Sequence, residues 1–380
     1  MQLEAIERIL TDAVADGVTP SAVCVAAVHG TRLPPVVVGD AVRFGTDGAE
    51  LPGARRIPAT ADTVYDLASV TKIFTAVTAL TLVDEGVLDL DRPLGHWLAG
   101  YRPGAAPATE ATGPGSPAGR ESVTLRHLLT HTSGLPPIWS GWRESLESGR
   151  PFDRQALLAD LLATPLAAPP GTAFDYSCVG FNTVMALSEA ATGRRWPELV
   201  AERVLDKLPP GLTFSPDPDR CAATEYQPDH GRGMVRGTVH DETAWSLGGG
   251  CGNAGLFGTA GALLDFGEAL RAGLPGILSP GSAREMWRDQ LPDTLGGAAA
   301  AVGPGYGLGL GLRIGHTAWM GASGTTARGH NGFTGTSLLV DREAGVTLVL
   351  LTNRVHPRRE RSDVQALRSA VADALYAALP

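Results

Sequence analysis

Strand-like segments lie at the two ends of this chain, and helical patterns fill its middle. The segments rich in β-branched and other apolar residues are 22–28, 35–44, 305–314, 328–340 and 346–352. Helical periodicity is clearest over residues 152–163, 179–193, 196–208, 260–272 and 282–289. Because strands from both ends need partners, we predict one antiparallel sheet built from both termini, with helices on its faces. The predicted fold class is α/β, more strictly α+β.

The same distribution predicts two domains, which a chain of 380 residues is long enough to form. Residues 1–80 together with 290–380 are expected to form the sheet domain. Residues 81–289 are expected to form an inserted, mostly helical domain. We expect the functional site between them.

Composition limits the classes of partner. Apolar residues make up 43% of the chain, the net charge is −9, and no Lys/Arg-rich run occurs, so we expect no nucleic-acid partner. No segment has the length of a membrane span, and residues 1–17 read as an amphipathic helix rather than a signal peptide. We therefore expect a cytoplasmic protein. Residues 100–122 and 211–250 are expected to run over the surface.

No metal or cofactor is predicted. The four cysteines lack metal-binding spacing, and their default interpretation is free thiols. His127 and His131 lie four residues apart, but no acidic third ligand has suitable spacing, so structural roles are favoured. The glycine-rich segment 248–259 lacks the lysine of a phosphate-binding loop.

Ser69 and Lys72 form the pattern with the strongest chemical meaning. A strand-like segment, 63–67, turns into a helix at Ser69, where unsatisfied backbone N–H groups favour an attacking oxygen. Lys72 lies one turn further on the same face and can bond the serine hydroxyl. The chain holds only two lysines among 31 basic residues, and arginine could not give up its proton in the same role. A helix-capping serine is the alternative interpretation.

Further segments resemble a known family when they are taken in order. They are SVTK at 69–72, RHLLTHTSGLP at 126–136, FDYS at 174–177, VHDET at 239–243, AGLF at 254–257, GHNGFTGT at 329–336 and LLTNR at 350–354. This set resembles the serine β-lactamase and penicillin-binding-protein superfamily. The similarity is closest to its class C-like branch of carboxylesterases, D-amino-acid peptidases and acyltransferases.

The resemblance implies a role for each matching residue. Ser69 would be the nucleophile that forms an acyl-enzyme, with Lys72 and Tyr176 as the proton-handling pair. The backbone N–H groups of Ser69 and Phe333 would form the oxyanion hole. The segment His330-Asn331-Gly332 would lie on a strand beside the substrate. Tyr176 follows the rigid Pro169-Pro170-Gly171 turn, and a buried structural tyrosine is its alternative interpretation.

Two positions depart from the family pattern. Cys178 stands where class C β-lactamases have asparagine, and a thiol is a weak hydrogen-bond donor. His330 replaces the lysine of Lys-Thr-Gly, which removes a fixed cation that helps to hold a β-lactam carboxylate. Both changes argue against efficient β-lactam turnover. Cys178 as the nucleophile is disfavoured because no partner set accompanies it.

Three functions therefore remain open. The first is a serine hydrolase that cleaves a small-molecule ester or amide, and the second is an intracellular transacylase that passes the acyl group to an amine or alcohol. The third is an inactive binding or sensor homologue, which retention of the serine, lysine and tyrosine disfavours. Trp139 and Trp142 are expected to be exposed aromatics that form either a substrate wall or ordinary packing.

Overall fold

The computed structural model describes residues 3–102, 119–303, 306–323 and 326–379, so most of the predicted excursion at 100–122 lies outside the described residues. The strands are β1 Ser21–Val28, β2 Thr31–Arg32, β3 Val36–Val42, β4 Ile57–Pro58, β5 Tyr65–Asp66, β6 Leu212–Thr213, β7 Ala223–Gln227, β8 Gly233–Arg236, β9 Phe257–Gly258, β10 Gly307–Gly309, β11 Leu312–Ile314, β12 Arg328–Asn331, β13 Ser337–Asp341 and β14 Val346–Thr352. The helices are α1 Glu4–Ala15, α2 Thr71–Asp84, α3 Leu125–Leu129, α4 Trp142–Glu147, α5 Arg154–Ala163, α6 Cys178–Thr192, α7 Trp196–Arg203, α8 Glu242–Ser246, α9 Ala260–Arg271, α10 Pro280–Trp287, α11 Leu291–Leu295, α12 Thr317–Met320 and α13 Gln365–Ala377.

The main sheet joins the two ends of the chain, which confirms the predicted fold class. Its strand order is β10-β11-β12-β13-β14-β1-β3-β4, with β2 paired to β1. Strand β1 pairs antiparallel with β14, so that Ala22 lies opposite Thr352 and Val28 lies opposite Val346. Every residue of these two strands is buried, which fits their mostly apolar sequences.

Helices cover both faces of this sheet. Helices α1 and α13 pack on one face through Leu10, Val371 and Leu375. Helix α9 packs on the other face, and α2 lies in the larger core shared with the helical region. Helix α2 is buried on all sides from Thr71 to Leu82, and apolar residues are distributed around its whole circumference. A central, fully surrounded helix gives the residues at its N-terminus a fixed position.

Two predicted strands are each divided by a turn. The single strand predicted over 328–340 is wrong, because β12 and β13 form a hairpin connected by residues 332–336. Gly335, at φ 112°, adopts a conformation that L residues rarely take, and this ends the extended segment. Likewise β10 and β11 form a hairpin within 305–314, with Gly311 at φ 70° in its turn.

The expected surface position of 211–250 is also wrong in part. Strand β7 is mostly buried, and Glu225 and His240 are almost completely enclosed. These polar side chains tolerate burial because His240 Nε2 lies 2.9 Å from Glu225 Oε2, and Arg359 bonds the same carboxylate. A polar sequence therefore forms an internal ion-pair network here.

No helix in the described ranges has both the length and the hydropathy needed to cross a bilayer.

Candidate active site

Ser69 lies in a tightly constrained segment between β5 and α2. It is the middle residue of a single 3₁₀ turn, Ala68–Val70, that leads directly into α2. Ala68 has φ 46°, a left-handed conformation that strains a residue with a side chain. Asp66 supports this turn: its Oδ1 accepts a hydrogen bond from the Ala68 N–H at 2.8 Å, and its Oδ2 accepts one from the His240 N–H at 2.7 Å. The serine is therefore held at a strained, well-anchored corner.

Lys72 is buried one helical turn after Ser69. Its Nζ donates to Ser69 Oγ at 3.0 Å, to the Asn253 carbonyl oxygen at 3.0 Å and to Cys178 Sγ at 3.5 Å. Burial alone lowers the pKa of the lysine, but the adjacent Cys178 thiol and Tyr176 phenol, once ionised, raise it, and the net direction is upward. The resting lysine is thus an ammonium ion with three acceptors for its three N–H groups.

Tyr176 approaches the same amine from the loop that precedes α6. The Lys72 Nζ lies 5.1 Å from the centre of its ring. The rings of His131 and His330 lie 4.5 Å and 5.9 Å from that of Tyr176. His131 also holds the loop, because its Nδ1 accepts a hydrogen bond from the Ser177 N–H at 3.0 Å. Tyr176 is therefore confined between Lys72 and two imidazole rings.

Both imidazoles near Tyr176 are kept neutral. Burial lowers the pKa of His131 well below its usual value, and the nearby Lys72 and Arg313 charges lower it further. Burial likewise lowers the pKa of His330, with Arg313 and Lys72 acting in the same direction. His330 therefore contributes no positive charge near pH 7, as the sequence predicts.

The turn between β12 and β13 packs directly on the nucleophile segment. A Cβ on Gly332 would lie 2.3 Å from Thr336 Oγ1 and 2.6 Å from the Leu67 carbonyl oxygen, so only glycine fits. Thr334 Oγ1 donates to the Asp66 carbonyl oxygen at 2.7 Å, and Thr336 Oγ1 donates to that of Leu67 at 2.9 Å. These contacts bring residues 331–333 beside Ser69. Asn331, Gly332 and Phe333 line the cavity, whereas His330 is buried behind its wall.

The cavity in front of Ser69 has a volume of about 600 Å³. Besides Ser69, its walls include Tyr176, Cys178, Trp139, Trp142 and Ile138. The expected exposure of Trp139 and Trp142 is wrong: both rings are buried, and Trp139 Nε1 donates to Asp160 Oδ2 at 2.8 Å. Sequence reasoning missed Ile138, whose side chain is 75% exposed, while Phe333 on the turn is 47% exposed. The two tryptophans thus line the cavity as buried rings, beside the exposed side chains of Ile138 and Phe333.

Arg313 is a second cavity residue that sequence reasoning missed. Its guanidinium carbon lies 4.6 Å from the centre of the Tyr176 ring. Among the described residues it has no ion-pair partner, and its Nε is buried without an acceptor. The cavity therefore has a cation at a different position from residue 330, because β11, which pairs with β12, supplies Arg313. The sequence did contain an indication of this cation, because Arg313 is the one charged residue in the otherwise apolar segment LGLRI at 310–314.

The comparison with known proteins agrees with this geometry. Residues 6–372 match the β-lactamase family. The chain belongs to the β-lactamase family. Among curated relatives of this β-lactamase-family protein, esterase EstB from Burkholderia gladioli is 33% identical over 351 residues, which cover 83% of each sequence.

Solved structures show the same fold. EstCE1, described as a hydrolase with promiscuous acyltransferase activity, superposes with a TM-score of 0.71 at 24% identity and 98% coverage of both chains. A variant of simvastatin synthase from Aspergillus terreus superposes with a TM-score of 0.70 at 22% identity, covering 99% of this chain and 96% of the synthase. The family match and the esterase relative together show that this β-lactamase-family enzyme is a serine hydrolase.

Proposed function

We propose that Ser69 Oγ attacks the carbonyl carbon of a small-molecule ester or amide and that the alcohol or amine leaves as an acyl-enzyme forms. The Ser69 proton passes to the Lys72–Tyr176 pair and then to the leaving group. Water resolves the acyl-enzyme in the second step, which regenerates Ser69 and releases the acid. We treat the pair as one titrating unit and do not assign the proton to either member.

The observation that carries this proposal is the 3.0 Å hydrogen bond from Lys72 Nζ to Ser69 Oγ at the edge of the open cavity. In the alternative interpretation, a helix-capping serine, Ser69 Oγ would accept hydrogen bonds from backbone N–H groups of its own helix. None of the described hydrogen bonds of Ser69 Oγ is of that kind.

The oxyanion hole is proposed to consist of the backbone N–H groups of Ser69 and Phe333. Neither N–H donates a hydrogen bond to another of the residues described in the structure, so both remain free for a substrate oxygen. Such a donor contributes about 10²–10³ in rate. Asn331, Gly332 and Cys178 would contact the substrate from either side, and the buried His330 would support the strand.

An ester or amide without a β-lactam ring is the preferred substrate class. Cys178 gives a substrate amide carbonyl only a weak donor. Arg313 supplies a cation, but it lies over the face of Tyr176 rather than at the position of His330. We therefore propose esterase or amidase activity with poor β-lactam turnover.

Acyl transfer is the second candidate, and one observation favours it. Ile138 and Phe333 expose large apolar surfaces at the cavity, although exposed large apolar residues are rare in the described chain. An apolar acceptor alcohol or amine bound there would compete with water for the acyl-enzyme.

The test combines turnover with intact-protein mass spectrometry on a panel of p-nitrophenyl esters, with and without added amines and alcohols. We expect Ser69→Ala to abolish turnover and acyl adduct formation, and Lys72→Ala and Tyr176→Phe each to lower kcat by about 10²-fold or more. An acyl adduct that persists in Ser69→Ala would show that the nucleophile is wrong. Faster loss of the adduct with an acceptor than with water would assign acyl transfer.

The two-domain division, the cytoplasmic location and the lack of a nucleic-acid partner stay predictions from the sequence. The proposed partners are an acyl donor and either water or an acceptor nucleophile.

A further inference from the structure

The glycine-rich segment 248–259 passes between helices α2 and α6 at the level of Lys72. Thr75 Oγ1 on α2 donates to the Gly252 carbonyl oxygen at 2.7 Å. On the other side, a Cβ on Gly252 would lie 2.0 Å from the Phe181 carbonyl oxygen, so the segment touches the α6 backbone. Glycine at 252 is thus required by close packing rather than by a phosphate ligand.

The next residue connects the two helices through its peptide groups. The Asn253 N–H donates to Asn182 Oδ1 on α6 at 3.0 Å, and the Asn253 carbonyl oxygen accepts from Lys72 Nζ at 3.0 Å. Asn182, Asn253 and Lys72 are fully buried. The Asn253 side chain has no hydrogen-bond partner among the described residues, so its backbone makes these contacts.

We propose that Asn182 is a positioning residue: it holds the peptide of Asn253 so that the Asn253 carbonyl oxygen fixes the Lys72 amine against Ser69. This inference rests on the proposed function, because it gives Lys72 its orientation for proton transfer. It also gives the glycine-rich segment a role in the site.

The chemistry of the three acceptors explains why the Asn253 carbonyl oxygen determines how the Lys72 amine is oriented. The Ser69 hydroxyl and the Cys178 thiol can each donate or accept, and both rotate freely. A backbone carbonyl oxygen only accepts, and Asn182 prevents this one from turning away. The N–H toward Asn253 is therefore held in place, and the positions on the amine that can exchange a proton face Ser69 and Cys178.

Loss of Asn182 has a predictable effect on the amine. The charged or titratable groups that face Lys72 are Cys178 and Tyr176 at the start of α6, Asp241 before α8, and the neutral His131 and His330. None of these groups is altered in Asn182→Ala or Asn182→Leu, and neither substitution adds a charge. A displaced Asn253 carbonyl removes a hydrogen bond to the ammonium form, so the pKa of Lys72 should fall.

The experiment uses the full chain labelled with ¹³C,¹⁵N-lysine. Because the chain contains only Lys72 and Lys207, two side-chain signals are expected, and the exposed Lys207 serves as the internal reference. In Asn182→Ala we expect the Lys72 pKa to fall by about 1 unit and the rate of Ser69 acylation to fall about tenfold or more. Asn182→Leu, which keeps the branched shape but not the acceptor, should give the same result if the alanine variant folds poorly.

Two further variants separate positioning from general stability. Asn182→Asp retains the acceptor oxygen, and the Nδ2 that it replaces has no partner among the described residues, so its acylation rate should exceed that of Asn182→Ala. Ser188→Ala removes a buried hydroxyl on the same helix whose bond is local, to the Val184 carbonyl oxygen at 2.9 Å, and should change neither readout.

An unchanged Lys72 titration in a folded Asn182→Ala or Asn182→Leu protein would overturn the inference. So would a shift of equal size in Ser188→Ala. These results are independent of turnover, so they are distinct from a failure of the proposed function, which Ser69→Ala tests.

Discussion

Individual side chains at this site are defined by the contacts they make with backbone groups. Lys72 bonds the carbonyl oxygen of Asn253, and Asp66 bonds the N–H groups of Ala68 and His240. A buried charge without such partners would be strongly destabilising. The ammonium group can therefore stay buried beside Ser69 because backbone and side-chain acceptors surround it.

Cys178 is the residue at which specificity can be tested most directly. Its Sγ lies 3.5 Å from Lys72 Nζ and lines the cavity. Asparagine there would provide an amide oxygen for Lys72 and an NH₂ donor for a substrate carbonyl. We expect Cys178→Asn to raise nitrocefin hydrolysis about tenfold, measured as kcat/KM, with a smaller change for p-nitrophenyl esters.

Cys178→Ala is the control for that substitution, since it removes the thiol without adding a donor. Equal nitrocefin rates in the alanine and asparagine variants would show that the missing amide is not what limits β-lactam turnover.

At the scale of elements, the site is formed where two connections meet. The 3₁₀ turn before α2 carries Ser69, and the turn between β12 and β13 carries Phe333. They are joined by the hydroxyl bonds of Thr334 and Thr336. Because α2 is buried from Thr71 to Leu82 and β12 belongs to the main sheet, neither turn can shift without disturbing the core.

Gly332 permits the close approach of these two turns, so Gly332→Ala should separate them. Its Cβ would overlap with Thr336 Oγ1 and with the Leu67 backbone. We expect kcat for ester hydrolysis to fall by about 10²-fold, as after loss of an oxyanion donor. Unfolding free energy should fall by about 1–3 kcal/mol, as for other overpacked sites. Steady-state kinetics and urea denaturation would measure both effects.

Gly261→Ala is the matched control, because Gly261 lies in helix α9 and no atom of another described residue outside that helix turn lies within 4 Å of the place its Cβ would take. It should keep full activity without losing stability, because alanine has a higher helix propensity than glycine. Full activity in Gly332→Ala as well would contradict the role given to the close approach.

Across the whole molecule, several histidines are buried as neutral groups. Burial lowers the pKa of His131 and His330 well below 6.5 and lowers that of His356 to about 4. His356 connects distant segments, since its Nε2 accepts from the Arg43 N–H at 3.0 Å and its Nδ1 lies 2.9 Å from the Thr224 carbonyl oxygen. The folded state therefore depends on neutral imidazoles in its interior.

This arrangement predicts how stability depends on pH. The unfolded histidines take up protons below about pH 6.5, whereas the folded ones do not until lower pH, so the unfolded state binds more protons in that window. Stability should be full above pH 7 and should fall as the pH decreases toward 4.5, by about 1.4 kcal/mol per pH unit for each histidine. Urea denaturation between pH 4.5 and 8 would measure this slope.

Carboxyl groups whose pKa is lowered by arginine partners, such as Glu285 beside Arg288, add to the slope only as the pH approaches 4.5, whereas burial raises the pKa of Asp66, which acts in the opposite direction. His356→Asn should make the dependence of stability on pH less steep, by the contribution of about one bound proton, even though the variant is less stable overall. A slope that is unchanged in His356→Asn, or stability that is constant from pH 8 to 4.5, would contradict the assignment of neutral buried histidines.

Sequence alone determined the features that depend on local order along the chain. The spacing of Ser69 and Lys72 places them on one helix face whatever surrounds the helix. The apolar runs at both ends specify a buried sheet, and the ordered motifs specify the family. Local turn residues also predicted the loop before Tyr176, but the turn at Gly332 was missed because its flanking residues look extended on both sides.

Tertiary structure alone decided which distant groups meet at the site. Arg313, Asn182 and the Asn253 carbonyl carry no motif that marks them in the sequence, and they reach the site only because β11, α6 and the glycine-rich segment pack around α2. Burial of Trp139 and exposure of Ile138 were decided in the same way. These hydrogen bonds join residues 71 and 181 positions apart, so they depend on how whole elements pack. The residues next to them in the sequence therefore cannot predict them.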